Sequence, residues 1–373
     1  MVTSVNEQLK TVETDTVHAQ KAQPLQQQQE DTPAYYNSRI SMVEEYVGAR
    51  NLTMYPHKFQ ITMRIPEFRE KYGSIQSGNK VEETVQLAGR VLAIRSSSRN
   101  LYFMELHAEG SYVQIMSSRN SYGDDWEIHK ILRRGDVVGV KGIPGRSERG
   151  ELSIYPVSIQ LLSPCLHMLP SKISGLRDKE ARFRQRYLDL MLNLNSRKTF
   201  QIRSKIISYI RQFLDNMGFL EVETPMMSLD VGGANARPFK THHNDLDIDM
   251  YLRIAPELYL KKLIVGGLDR VYEIGKLFRN EGIDLTHNPE FTSCEFYYAY
   301  ADYNDLMDIT ERLLSGMVYS IFNTYELRYQ PNENAEPVLL NFRPPFRRVS
   351  MIDELERKLN ITLPRDFYSD EAT

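Results

Sequence analysis

The chain has 373 residues, of which 41% are hydrophobic and 25% are charged, and its formal net charge at pH 7 is −3. These values are typical of a soluble globular protein of two or three domains, and they argue against a fibrous or wholly disordered chain. No run approaches about 18 apolar residues, so we expect no membrane-spanning helix. The N-terminus lacks an apolar signal core, and Cys165 and Cys294 are the only cysteines, which favours a cytoplasmic protein without disulfides.

Composition and hydrophobic pattern predict a chain of five segments. Residues 1–32 are rich in Gln and poor in large apolar side chains, so we expect a disordered tail. Residues 33–82 contain two short helical patterns that lead into a strand-rich segment, residues 83–165. Residues 166–198 form a linker in which arginines alternate with acids, typical of a salt-bridged helical surface. Residues 199–373 form a second, larger domain.

The strand-rich segment is predicted to be an OB-fold barrel. Its five strand patterns are "TVQLAGRVLAIRS", "NLYFMELH", "SYVQIMS", "DVVGVKGI" and "ELSIYPVSIQLL". A helical pattern, "GDDWEIHKILRR", lies between the third strand and the fourth. Five strands with one helix after the third is the order of an OB-fold, although another small barrel would also fit this pattern.

The alternation within these strands indicates a polar outer face. Phe103 shares its face with polar neighbours, and Gln114, Glu151 and Ser153 are also expected to point outward. An outward ring beside hydrogen-bonding groups can stack on unpaired bases and read them. A single exposed Phe is equally common on protein surfaces, so the pattern by itself leaves both interpretations open.

The second domain begins with helical spacing in "TFQIRSKIISYIRQFLDNMG", followed by a strand, "FLEVETP", that ends at Pro225. This helix and strand suit either a core or a dimer interface. Farther on, "YLRIAPELYLKKLIVGG" predicts a strand, a turn and a helix. An amphipathic helix capped by Asp302 and a last helix from Ser350 are also expected.

The densest cluster of functional groups lies in "FRNEGIDLTHNPEFTSCEF", which predicts two strands joined by a long polar loop. The period of two places Arg279 with Glu281, and Glu295 with Tyr297. A buried guanidinium suits a phosphate or a carboxylate, whereas buried carboxylates require a cation. Internal salt bridges would explain the pairing of Arg279 with Glu281. They would give no partner to Glu295, Tyr297 and Glu257. A ligand with one anionic and one cationic end accounts for more of these residues.

The segment "FRNEGIDLTHNPEF" closely resembles motif 2 of the class II aminoacyl-tRNA synthetases. Together with "TSCEFYYAYADY", "GGANARPF" and "LRIAPELYLKKL", it is similar to the lysyl members of the lysine, aspartate and asparagine subgroup. The resemblance runs from about Tyr35 to Thr373 and includes "RGELSIYPVSIQLLSPCLHMLP" and "RFRQRYLDLMLN". It implies a class II α/β catalytic domain, with an antiparallel sheet flanked by helices, over residues 199–373.

The resemblance also implies an enzyme that uses ATP to activate lysine and then transfers it to tRNA(Lys). Arg279 would be the catalytic residue, holding the α-phosphate of ATP. Glu281 would contact the adenine amino group, His287 the terminal phosphates, and Phe291 would stack on the adenine ring. These four residues form the implied ATP site.

The implied lysine site shares Arg279, which would hold the substrate carboxylate. The backbone at Gly233 and the carboxylate of Glu257 would hold the α-amine, and Glu295 and Tyr297 would receive the side-chain ammonium. In the barrel, the resemblance assigns the reading of the anticodon to three positions: Phe103, Gln114 and Glu151. The helix and strand that end at Pro225 match motif 1, which implies a homodimer.

The family's third motif, a Gly-rich strand and helix with an ATP-binding Arg, has no counterpart in this sequence. Mg²⁺ is expected in the family, but the acidic residues that bind it just before that motif are missing as well, so no metal ligand is assigned. We therefore expect a C-terminally truncated chain that does not form lysyl-adenylate efficiently by itself. The alternative is a non-catalytic protein that binds tRNA or a partner through its barrel and dimer surface.

Overall fold

The computed structural model describes four stretches of the chain: residues 32–170, 176–284, 286–331 and 335–365. The chain divides into two compact units, residues 1–194 and residues 195–373. Apart from Thr32, the predicted Gln-rich tail lies outside the described residues. Within them, no helix is both long enough and apolar enough to cross a membrane.

The first unit is built around a closed barrel of five strands. These are β1 (Val85–Ser98), β2 (Leu101–Ala108), β3 (Ser111–Ser118), β4 (Val137–Arg146) and β5 (Leu152–Ser163). Their neighbour order is β1-β2-β3-β5-β4, and β1 pairs with β4 to close the barrel. This is the predicted OB-fold, and closure leaves the barrel without an open edge.

Three helices accompany the barrel: α1 (Pro33–Gly48), α2 (Ile65–Tyr72) and α3 (Ile128–Ile131). The prediction of a longer helix between β3 and β4 was wrong, because α3 is a single turn. The carboxylate of Asp125 accepts a hydrogen bond from the backbone N–H of Glu127 just before it. Asp side chains that bind nearby backbone groups compete with helix formation, which shortens the helix here.

The barrel core consists of the inward-facing apolar side chains of the strands, together with residues of α1, α2 and α3. A buried ion pair lies beside this core. Arg39 of α1 donates to both carboxylate oxygens of Asp136, at 2.9 and 2.7 Å, and both side chains are almost fully buried. Asp136 also accepts backbone N–H groups from Arg133 and Cys165. This pair therefore ties α1 to the barrel wall.

Two short helices follow the barrel, α4 (Lys179–Arg184) and α5 (Arg186–Leu192). Their predicted ion pairs are present, since Asp189 accepts hydrogen bonds from Arg182 and Arg186 at 2.8 Å each. The carboxylate at their centre is fully buried, so the network is only partly a surface feature.

The second unit contains most of the remaining elements. In chain order they are α6 (Leu194–Asn216), β6 (Leu220–Glu221), β7 (Met227–Ser228), β8 (Lys240–His243), β9 (Ile248–Leu252), α7 (Glu257–Val265), β10 (Arg270–Phe278), β11 (Glu290–Tyr298), α8 (Tyr303–Phe322), β12 (Glu326–Tyr329), β13 (Val338–Asn341) and α9 (Met351–Leu359). Asp302 caps α8 as predicted, accepting the backbone N–H groups of Asn304 and Asp305.

The strands of this unit form three small sheets, with the orders β11-β10-β6, β7-β9-β8 and β12-β13. The first sheet is mixed rather than purely antiparallel, because β6 runs parallel to β10. The predicted strand "FLEVETP" is only two residues long. After it, the backbone N–H and the hydroxyl of Thr224 donate hydrogen bonds to the carboxylate of Glu273, so the backbone pairing with β10 does not continue.

The core of the second unit lies between α6 and one face of the β10–β11 hairpin. Leu214, Phe219 and Tyr272 are its buried centre, and Cys294 and Phe296 of β11 pack against them. Side chains alternate along a strand, so Glu295 and Tyr297 belong to the opposite face. The sheet thus separates an apolar face from a polar one.

Candidate functional site

The polar face of the β10–β11 hairpin gathers half of the residues predicted for the ATP and lysine sites: Arg279, Phe291, Glu295 and Tyr297. The two strands pair antiparallel, with Glu273 opposite Glu295 and Leu277 opposite Phe291. The backbone N–H of Arg279 donates to the carbonyl oxygen of Pro289 at 2.9 Å, which extends the ladder one step beyond β10. Opposed residues share a face, so Arg279, Phe291 and Glu295 lie on the same side of the sheet.

The prediction that Arg279 and Glu281 belong to the strand was wrong, because β10 ends at Phe278. Both residues lie in the loop between the strands, where Glu281 is exposed. His287 is exposed in the same loop, and its Nδ1 lies 3.0 Å from each carboxylate oxygen of Asp284. The backbone N–H of Thr286 is the main cause that lowers the pKa of Asp284, and His287 adds to it.

The guanidinium of Arg279 lies over the ring of Phe291, with its Cζ 5.1 Å from the ring centroid. Its Nε is buried and has no hydrogen-bond partner among the described residues. An unpaired buried donor on a charged group is costly, and an anion at this position would satisfy it. The arrangement therefore suits a phosphate or carboxylate held beside an aromatic platform.

The carboxylate end of this face is formed by Glu295 and Tyr297. The hydroxyl of Tyr297 donates to Oε2 of Glu295 at 3.2 Å. Burial raises the pKa of Glu295; this hydrogen bond lowers it, and the nearby carboxylates of Glu257 and Glu273 raise it further. Burial and the same Glu295 raise the pKa of Tyr297. A cation bound here would relieve the repulsion between these carboxylates.

Gly233 and Glu257, predicted to act together, lie in contact. A Cβ at residue 233 would stand 2.8 Å from the Cβ of Glu257 and 3.1 Å from that of Ala255. The φ angle of Gly233 is +84°, so both backbone conformation and space require glycine here. Glu257 lies in the first turn of α7 and accepts a hydrogen bond from Lys261 at 2.6 Å.

Sequence reasoning missed a buried ion pair beside this face. Arg253, just after β9, and Glu273, in the middle of β10, are 6% and 4% exposed and form a salt bridge. The available signal was an acidic residue between apolar neighbours in the strand "RVYEIGKLF", with an arginine in the mostly apolar "YLRIAP". Charged residues in such runs are rarely fully buried unless they are paired.

In the barrel, the outer face of β2, β3 and β5 brings the three predicted anticodon residues to one region. Phe103 pairs with Met116 across β2 and β3, beside Gln114, and its ring is half-buried. The side-chain amide of Gln114 donates to the hydroxyl of Ser153, which in turn donates to the carbonyl oxygen of Glu151, both at 2.9 Å. Ser153 shares the outer face with Gln114, as predicted, but within this network it is fully buried rather than exposed.

Comparison with protein-family models gives two matches that follow these two units. Residues 85–162 match the OB-fold nucleic acid binding domain of the tRNA anticodon type. Residues 178–370, more than half of the chain, match the class II tRNA synthetases (D, K and N). The chain belongs to the class II tRNA synthetases of this group. Its closed barrel and its hairpin-bearing second unit are the two domains that the family models describe.

The alignments with curated relatives cover most of the length of this chain. It is 49% identical over 342 residues to a probable cytoplasmic lysine–tRNA ligase of Encephalitozoon cuniculi, covering 91% of this chain and 66% of the relative. It is 49% identical to the lysine–tRNA ligase cla4 of Cladosporium cladosporioides, covering 88% and 57%. It is 44% identical to the lysine–tRNA ligase of Thermotoga maritima, covering 89% and 65%. The chain thus spans about two thirds or less of the length of these relatives.

Proposed function

We propose that this synthetase chain carries the amino-acid activation site and the anticodon-binding domain of a lysine–tRNA ligase. The observation that carries the proposal is the polar face of the β10–β11 hairpin. It presents the guanidinium of Arg279 at one end and the carboxylate of Glu295 with the phenol of Tyr297 at the other. Lysine has a carboxylate at one end and an ammonium group at the other, so it matches both ends of this face.

The first half of the reaction is the formation of lysyl-adenylate. A carboxylate oxygen of lysine forms a bond to the α-phosphorus of ATP, the bond to the bridging oxygen breaks, and pyrophosphate leaves with the electron pair. Arg279 holds both the carboxylate and the α-phosphate, and its charge stabilises the charge that develops at phosphorus. Positioning therefore supplies most of the rate, and no general acid or base is needed.

The nucleotide is held by three other residues in this proposal. Phe291 stacks on the adenine, with Arg279 already over its ring at 5.1 Å. Glu281 accepts from the adenine amino group, and His287 approaches the terminal phosphates. Both residues are exposed in the loop, so ATP can reach them as it binds. In the second half-reaction, a terminal ribose hydroxyl of tRNA(Lys) takes the lysyl group and AMP leaves.

Selection of lysine within the D, K and N group follows from charge. Glu295 and Tyr297 receive the side-chain ammonium, while Glu257 and the backbone at Gly233 receive the α-amine. An aspartate side chain in the same place would put a third carboxylate beside Glu295 and Glu257, and repulsion would exclude it. Asparagine would leave the charge of Glu295 without a partner in a half-buried site.

The anticodon of tRNA(Lys) is read by the outer face of the barrel in this proposal. Phe103 stacks on a base, the amide of Gln114 donates or accepts hydrogen bonds at base edges, and the carboxylate of Glu151 accepts them. The Ser153 hydroxyl holds the amide of Gln114 in place at 2.9 Å, so part of this surface is ordered before RNA arrives.

We further propose a cytoplasmic homodimer that forms through α6 and the segment ending at Pro225. Exposed apolar side chains support this interface, namely Phe200 on α6, Leu220 before Pro225, and Met226 and Met227 directly after it. Mg²⁺ commonly accompanies ATP in such enzymes. Among the described residues, no group of three or more His, Cys, Asp or Glu side chains is placed to hold a metal ion, so no step is assigned to one.

Binding of intermediate analogues tests the amino-acid assignment. Calorimetric titration of the chain with sulfamoyl-adenosine analogues of lysyl-, aspartyl- and asparaginyl-adenylate should give the tightest binding for the lysyl form, by at least ~10-fold, as expected for one charge-assisted hydrogen bond. Tighter binding of either other analogue would reassign the specificity within the group.

A second candidate is a tRNA- or partner-binding protein without activity of its own. The closed barrel favours this second candidate, because the barrel has its own core and carries the proposed RNA-binding face. Binding of a lysine anticodon stem-loop, without lysine-dependent exchange of ATP and pyrophosphate, would favour this candidate over the ligase.

A further inference from the structure

The buried pair of Arg253 and Glu273 is connected to three segments of the second unit. Arg253 donates through Nε to the carbonyl oxygen of Lys276 at 2.9 Å and through Nη1 to the hydroxyl of Thr224 at 3.0 Å. That hydroxyl donates to Oε2 of Glu273 at 2.6 Å, and Nη1 of Arg253 binds Oε1 of the same carboxylate. The guanidinium thus fixes the end of β9, the middle of β10 and the segment after β6 in one arrangement.

Gly275 is the residue that makes room for this guanidinium. A Cβ at this position would lie 2.2 Å from Nη2 of Arg253, which no real side chain tolerates. Gly275 has an ordinary φ angle, so close approach rather than backbone conformation calls for glycine. Arg253 therefore lies flat against β10, two residues from Glu273, on the strand that pairs with β11.

The pair lies directly beside the proposed lysine side-chain site. Glu273 is opposite Glu295 in the β10–β11 register, and opposed residues of antiparallel strands have neighbouring side chains on the same face. Two like charges in this relation repel each other. The charged and titratable groups that act on Glu295 are Tyr297 on its own strand, Glu273 on β10, Glu257 on α7, and Arg253 after β9.

We propose that the Arg253–Glu273 pair is a positioning element that sets the charge of the lysine side-chain site. Arg253 neutralises Glu273, so that Glu295 keeps its own charge and directs it at the ε-ammonium. With Glu273 balanced, Glu295 carries the charge that faces the ε-ammonium of lysine. Neither member of the pair touches the substrate; both act through Glu295. This inference rests on the proposed function of the face.

Removing either partner alone has opposite consequences for Glu295. Without Arg253, the bare carboxylate of Glu273 repels Glu295 and favours its protonated form. Without Glu273, Arg253 is left as an uncompensated cation that attracts Glu295 and repels the ε-ammonium. The acid limb of lysine binding should therefore move to higher pH in Arg253→Gln and to lower pH in Glu273→Gln.

The test is the affinity of the lysyl-sulfamoyl adenosine analogue for the chain, titrated from pH 5 to pH 8. Each single variant should bind at least ~10-fold more weakly at pH 6, with the midpoints displaced in opposite directions. The double variant Arg253→Gln/Glu273→Gln restores local charge balance, so its affinity and midpoint should return to within about 3-fold of the parent. This coupling is what a double-mutant cycle measures.

Two further variants keep the test decisive if a single variant fails to fold. Arg253→Lys retains the charge, so its midpoint should stay with the parent. Gly275→Ala alters no charge but must displace the guanidinium, so its midpoint should move upward, as in Arg253→Gln. Circular dichroism confirms that each variant is folded.

Three outcomes have distinct meanings. Failure of the parent to bind the analogue contradicts the proposed function itself. Binding by the parent with unmoved midpoints in Gly275→Ala and in the folded single variants overturns the charge-setting inference alone. Opposite displacements with recovery in the double variant support it.

Discussion

The two units of this chain each bury an arginine–carboxylate pair, but the pairs have different surroundings. In the barrel, the carboxylate of Asp136 accepts from Arg39 and from two backbone N–H groups, so its hydrogen-bonding capacity is met within the core. In the second unit, Glu273 pairs with Arg253 and lies opposite Glu295 on the site face. A buried arginine–carboxylate pair therefore holds a helix to the barrel in one unit and lies beside the proposed binding site in the other.

The contrast extends to the residues proposed to bind ligands. Phe103 and Gln114 lie on the outside of a barrel whose core is complete beneath them. Glu295 is half-buried on the sheet itself among neighbouring charges, and Arg279 is half-buried just beyond the end of β10. Substitutions on the barrel face should therefore change binding and leave stability unchanged. Substitutions on the hairpin face should change the charge of neighbouring groups as well.

The largest expected effect is on barrel stability. Arg39→Met leaves the buried carboxylate of Asp136 without its cation, which should cost about 3–5 kcal/mol of unfolding free energy. Trp126 is the only tryptophan in the chain and lies in the barrel unit, so its fluorescence during urea unfolding reports this unit selectively. The matched control is Arg64→Met, whose ion pairs are exposed and screened by solvent, so that its unfolding midpoint should stay close to that of the parent. Equal midpoints for the two variants would contradict a stabilising role for the buried pair.

The next effect concerns the anionic end of the hairpin face. Arg279→Gln removes the guanidinium that is proposed to hold both the carboxylate and the α-phosphate, so affinity for the lysyl-adenylate analogue should fall by ~100-fold. Lys276→Gln is the control, because Lys276 is an exposed cation on β10, three residues before Arg279. A similar loss in both variants would indicate a general electrostatic effect instead of a specific contact.

A smaller effect is expected on the barrel face. Stacking contributes about 1–3 kcal/mol per base, so Phe103→Ala should weaken binding of a lysine anticodon stem-loop by ~10-fold. Phe103→Tyr keeps the ring and should bind as the parent does. The Trp126 unfolding midpoint should be the same in all three proteins. Loss of stability in Phe103→Ala would mean that the ring belongs to the core.

A measurement on the parent chain alone separates the two faces of β11. Burial raises the pKa of the Cys294 thiol to about 11, and the carboxylates of Glu221 and Glu295 add to this. At pH 8 very little of the reactive thiolate is present, so alkylation followed by peptide mapping should show Cys294 reacting at least ~100-fold more slowly than a free thiol. Urea should restore the ordinary rate. Rapid reaction of the folded chain would show that this face is open.

Much of the fold could be predicted because local patterns and tertiary structure agree. The five strands of the barrel alternate cleanly, and their closure follows from their number and spacing. The shared face of Phe291, Glu295 and Tyr297 follows from the period of two in β11. The capping of α8 by Asp302 could also be predicted from the sequence.

Other features depend on distant residues and could not be read from local pattern. The burial of Ser153 requires Gln114 from another strand. The shortness of β6 requires Glu273, 49 residues after Thr224, to accept the hydrogen bonds that end the strand. The pairing of Arg253 with Glu273 depends on the glycine at 275, whose function is visible only when the guanidinium lies against it.

The most direct test of the lysine site uses two ligands that differ only in the side-chain ammonium. Lysyl- and norleucyl-sulfamoyl adenosine are titrated into the parent and into Glu295→Gln, and the ratio of their dissociation constants is compared. The account predicts that the parent prefers the lysyl ligand by at least ~10-fold and that this preference largely disappears in Glu295→Gln, with norleucyl binding nearly unchanged. An equal preference in both proteins would contradict the assignment of Glu295 to the lysine ammonium.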